Sequence, residues 1–154
     1  MADLADPPQG AMKSVEEMLA VAHAMEREAA ARYAVLADCM RRVDQREIAE
    51  LLDGLAAEER GHIDSVERLA RRTLDRLPDP SLVHAALPET FVQEDEATAA
   101  ALLSPYRTLS IAVRHEERSF AFWTYVAAES DGSALSELAE MFAQPRPLEK
   151  SWPL

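Results

Sequence analysis

Residues 44–72 read DQREIAELLDGLAAEERGHIDSVERLARR, and this stretch decides the fold. Ile48, Leu51, Leu55, Val66 and Leu69 recur at the steps of one helical face. Asp44 followed by Glu47 has the spacing of a capping box and predicts the helix start. Between Leu55 and Val66 the buried line is not apolar. It runs through Glu59, four residues after Leu55, and His62, four before Val66. The stretch therefore predicts a long amphipathic helix over 44–72 with two ionisable groups on its inner face.

Working outward toward the N-terminus, Ser14 and Glu17 form another capping box. Val15, Leu19, Ala22, Ala29, Tyr33, Leu36 and Met40 continue as one stripe, predicting a helix over 14–41. The link between the two helices is so short that they must form an antiparallel hairpin. Each has about 28 residues and spans about 40 Å at about 1.5 Å per residue. Toward the C-terminus, residues 73–94 contain Pro78, Pro80 and Pro88 and read as a crossover, with a short helical piece between Glu94 and Leu103. Ser104-Pro105 pairs an N-cap with a proline at the first helical position. A third long helix follows over 104–130, with Leu109, Ala112, Phe120, Trp123 and Val126 read as its inner side. Asp131-Gly132 ends it, and Ser133 opens a shorter helix over 133–143 through Leu135, Leu138 and Phe142. Two hairpins joined by one long crossover is the connectivity of a ferritin-like four-helix bundle. Residues 1–13 read as a flexible leader and 144–154 as an irregular tail.

The second hairpin repeats the first at an offset of about 90 residues. Ala22 aligns with Ala112, Glu26 with Glu116, Tyr33 with Trp123 and Ala37 with Ala127. Glu47-Ile48-Ala49-Glu50-Leu51 aligns with Glu137-Leu138-Ala139-Glu140-Met141. The repeat thus includes the carboxylate that interrupts each stripe.

Composition narrows the function classes. The 154 residues carry a net charge of −12, which is the wrong sign for a nucleic-acid footprint. Cys39 is the one cysteine, so neither a disulfide framework nor a cysteine-built metal module fits. The start has no basic segment followed by an apolar run, and no stretch is apolar enough to span a membrane. A cytoplasmic protein without membrane or nucleic-acid partners is expected.

Glu26, Glu59 and Glu116 lie on inward lines of three helices, and a buried carboxylate is costly unless paired or bound to a metal. Glu59-Arg60-Gly61-His62 places carboxylate and imidazole on one helix face, where both reach one ion. Carboxylates with few imidazoles suit iron or manganese better than copper or structural zinc. Plainer readings stand beside this. Glu58, Arg60, Glu116 and Glu117 also read as solvated charge, and His62 as an interfacial hydrogen-bonded histidine. His23, His84 and His115 read as exposed, although His115 stands next to Glu116. Tyr33 and Trp123 read as core packing.

Glu26-x6-Tyr33 with Arg32 before the tyrosine, Glu59-x-x-His62 and Glu116-x6-Trp123 resemble the rubrerythrin-like branch of the ferritin-like superfamily. The likeness runs from about Ser14 to Phe142. It implies two irons bridged by glutamates and reaction with dioxygen or peroxide. Glu26, Glu59, His62 and Glu116 would be ligands, with Glu59 and Glu116 bridging, and manganese is the alternative metal. Peroxidase-type members carry a further Glu where Ser119 stands, and many carry a Cys-rich electron-supplying domain, so an external electron-donor protein is expected. The second Glu-x-x-His of the family falls in register at Glu149 and Trp152, beyond Pro145 and Pro147. The fourth helix is therefore expected to stop near Phe142, two turns short of the site, with a tail that reads like a frameshift or truncation product. That gap would expose Leu19, Leu69 or Trp123 and favour a homodimer. The alternatives to an iron oxidoreductase are iron storage or delivery without turnover, and a metal-poor bundle acting as a structural or interaction protein.

Overall fold

The computed structural model describes residues 14–83, 104–130 and 133–143. These residues are all-helical: α1 is Val15–Arg42, α2 Arg46–Leu74, α3 Pro105–Glu129 and α4 Ala134–Phe142. A 3-10 turn at Pro80–Val83 lies against α1. No strand occurs among the described residues. α1 packs along α2 and α3 along α4, so the two hairpins are present, and the fourth helix is short, with 9 residues. The proposed helical piece at 94–103, His84, the leader 1–13 and the tail 144–154 lie outside the described residues.

The helix starts follow local chemistry. Ser14 accepts a hydrogen bond from the Glu17 backbone at 3.1 Å, and Ser104 one from Arg107 at 3.3 Å. Ser133 likewise caps Ser136 at 3.1 Å, and its hydroxyl donates to the Ser130 carbonyl at 2.6 Å. These bonds satisfy donors that the first helical turn leaves open.

Asp44 does not play the capping role its spacing suggests. It adopts φ 59, and α2 begins at Arg46 after Gln45, which makes no side-chain cap. The reason is the tightness of the turn. The Asp44 N–H donates to the Arg41 carbonyl at 3.1 Å, and the Gln45 N–H to Met40 at 2.8 Å. This pair of bonds closes α1 through a left-handed residue, a conformation aspartate tolerates better than most side chains. The demand of the α1 end therefore overrides the α2 start. Asp75 ends α2 in the same left-handed way, at φ 58.

The buried residues form two apolar clusters along the bundle. One contains Tyr33, Leu36, Met40, Ile48, Leu52, Leu55, Leu109 and Ala112. The other contains Leu19, Met25, Val66, Leu69, Phe122, Trp123, Val126 and Leu135. On α3 the inward aromatic is Phe122, at 4% exposure, while Phe120 is 45% exposed, correcting the expected inner side. Phe122 is four residues before Val126, whereas Phe120 is six before it and falls off the stripe.

Leu19 and Trp123 have no exposure and Leu69 has 4%, so the expected gap beside them is absent. The homodimer argument from an uncovered end falls with it. α4 ends at Phe142 as expected, but its last side chain reaches the polar residues of α2. Phe142 stacks on His62 with ring centroids 4.0 Å apart and meets Trp123 edge-on at 4.9 Å.

Candidate metal centre

The seam between the two apolar clusters is where the stripes turn polar. On α1, Glu26 stands between Met25 of one cluster and Ala29 of the other. On α2, Glu59 and His62 lie between Ala56 and Val66, and on α3 His115, Glu116 and Ser119 lie between Ala112 and Phe122. Glu26, Glu59 and His115 are completely buried, while His62 and Glu116 are partly covered.

Two groups of ligand-type atoms result. Glu26, Glu59 and His62 offer atoms within 4.8 Å of one another, and so do Glu59, His115 and Glu116. All four residues singled out in the sequence are therefore brought to one region, with Glu59 in both groups. His115 is the residue that sequence reasoning placed wrongly. It is buried, not exposed, because it lies three after Ala112, four before Ser119 and seven before Phe122. That spacing puts it on the inward face beside Glu116. The signal was in the stripe but was obscured by the neighbouring glutamate. His23 is also not exposed: its Nε2 is 2.9 Å from Glu67 Oε1, and it belongs to neither group of ligand atoms.

The carboxylates are held by a reciprocal pair of bonds across the bundle. The Trp123 indole N–H donates to Glu26 Oε1 at 2.8 Å. The Tyr33 hydroxyl donates to Glu116 Oε1 at 2.7 Å and also lies 3.5 Å from the Ala112 carbonyl. Each aromatic is seven residues after the glutamate of its own helix and binds the glutamate of the other. The sequence repeat is thus also a repeat of hydrogen-bond roles. Tyr33 and Trp123 orient carboxylates as well as filling the core.

His62 Nδ1 stands 3.4 Å from Glu26 Oε2 and 3.5 Å from Glu59 Oε2. These are ion-pair distances, too long for well-formed hydrogen bonds. Burial opposes charge on the imidazole, but the polar contacts and negative charges of Glu26 and Glu59 prevail and raise its pKa to about 9. Burial likewise opposes charge on Glu26. Its contacts with Glu59 and His62, the positive imidazole and the Trp123 indole outweigh that and hold its pKa below the ordinary value. Even so, the buried Oε2 of Glu26 has no hydrogen bond. A buried carboxylate oxygen held by an ion pair but by no hydrogen bond is a group that a metal cation can satisfy. Carboxylates from three helices, two of them fully buried, with an imidazole in each group, are a donor set for a hard-to-intermediate divalent metal.

A sequence model of the Rubrerythrin family matches residues 17–143. No curated protein and no solved structure matches the chain.

Proposed function

The chain belongs to the Rubrerythrin family, and from that footing we propose that it binds a pair of non-haem iron ions through Glu26, Glu59, His62 and Glu116. The observation that carries this reading is that Glu59, fully buried, belongs to both ligand groups. One residue reaching two groups is what a bridged pair needs, since bridged metals sit about 3.5–4 Å apart.

When bound, the ferrous pair supplies two electrons to dioxygen or peroxide. The protein's own contribution is positional. Trp123 and Tyr33 fix Glu26 and Glu116 so that each carboxylate keeps one oxygen directed by a protein donor. Phe142 covers His62 and, with Trp123, keeps one side of the seam apolar. Ser119 stands inward on α3 and adds no further carboxylate. Manganese fits the same donors. In this reading an electron-donor protein re-reduces the iron.

The test is anaerobic loading with ferrous iron followed by mixing with peroxide or dioxygen, with ferric absorbance as the readout. Oxidation faster than that of free ferrous iron, lost in Glu59→Ala, is the expected result. Loaded protein that oxidises no faster than free iron would leave only storage or delivery.

A further inference from the structure

We infer that His115 is the nitrogen ligand of the second metal ion, so that helix α3 supplies what the fourth helix does not. This rests on the metal-binding reading above and concerns how the second ion is held.

An imidazole buried to 0% exposure in the middle of a helical bundle is costly unless a polar partner or an ion engages it. His115 brings a ring nitrogen within 4.8 Å of carboxylate oxygens of Glu59 and Glu116, which also lie within that distance of each other. Its ring meets Tyr33 edge-on, with centroids 5.4 Å apart and planes at 84°. The Tyr33 hydroxyl holds Glu116 at 2.7 Å. One aromatic therefore sets the positions of both the imidazole and the carboxylate beside it.

The resulting groups match in chemistry. Each has two carboxylates and one imidazole, and Glu59 is common to both. Three carboxylates and two neutral imidazoles, shared between two divalent ions, leave one net positive charge. α4 has no competing donor facing the seam among its described residues. Its acidic residues, Glu137 and Glu140, are exposed, and Phe142 occupies the place against His62. Among the described residues, the imidazole placed to serve the second ion is therefore that of His115, one residue before Glu116 on α3.

Cobalt(II) titration of the metal-free full chain, read by visible absorbance and bound-metal analysis, tests this. The natural chain should take up two ions. His115→Ala should take up one, and His62→Ala should take up the complementary one. Circular dichroism and His115→Gln control for loss of the fold. A measurement needing no variant is the NMR spectrum of the cobalt-loaded, nitrogen-15-histidine-labelled natural chain, where two strongly shifted imidazole signals are expected. Two cobalt ions in the natural chain and two in folded His115→Ala would overturn the assignment of His115 and leave the metal reading intact. A single shifted imidazole would do the same. No cobalt in the natural chain would overturn the metal reading itself.

Discussion

Replacing Trp123 by Phe removes the indole N–H that donates to Glu26 at 2.8 Å while keeping an aromatic ring in the core. Neither residue has any exposure, so water cannot replace the lost bond. A hydrogen bond to a charged group contributes about 1.5–3 kcal/mol. The smaller ring also leaves a void of roughly 40 Å³, which costs about 1 kcal/mol at about 24 cal/mol per Å³. Trp123→Phe should therefore destabilise the metal-free chain by about 2.5–4 kcal/mol. Tyr33→Phe deletes a bond of similar length, 2.7 Å, but its acceptor Glu116 is partly covered rather than buried. Partial resolvation should limit its cost to about 1–2 kcal/mol. Urea unfolding of both variants measures the difference. Repeating Trp123→Phe in a Glu26→Leu background isolates the bond itself, with an expected coupling of about 1.5–3 kcal/mol. Equal costs for the two variants, or a coupling below about 0.5 kcal/mol, would refute the inference that burial makes the Trp123–Glu26 bond the stronger support.

The metal-free chain should lose stability as pH rises from 6.5 through about 9, because His62 has its pKa raised in the folded state and binds more protons there than in the unfolded chain. It should also lose stability as pH falls below 4.5, because Glu26 is held below its ordinary value; His62→Gln should abolish the alkaline slope in urea unfolding, and an unchanged slope would contradict the ion-pair reading. Phe142→Ala removes the ring stacked on His62 and should lower the thermal midpoint by several degrees, corresponding to about 1–3 kcal/mol for a partly covered aromatic; an unchanged midpoint would mean that α4 does not close this side. Asp44→Gly should be neutral or slightly stabilising at φ 59, whereas Asp44→Val should cost about 1–2 kcal/mol, and equal unfolding midpoints would argue against the left-handed turn.

Periodicity made the helices readable because long amphipathic stripes leave little ambiguity, and Ser14, Ser104 and Ser133 marked their starts by their own side chains. Asp44 was misread because capping-box spacing does not reveal when a preceding helix needs the same residue in a left-handed turn. The carboxylates Glu26, Glu59 and Glu116 were legible as polar breaks in apolar lines. His115 was not, because adjacent helical residues usually diverge, and only the width of the buried face brings it in with Glu116. The reciprocal bonds of Tyr33 and Trp123 join residues 83 and 97 positions apart in sequence. The repeat hinted at their equivalence, but pairing across the bundle depends on how the hairpins meet. Phe142 at His62 shows the same limit: proline positions bound the length of α4 but not how far its last side chain reaches.

Anaerobic titration of the natural chain and of Glu59→Ala with ferrous iron tests most directly whether Glu59 joins two metal positions. Two irons bound per natural chain and most of that binding lost in the folded variant is the predicted result. A natural chain that binds none, or a Glu59→Ala chain that still binds two, would contradict it.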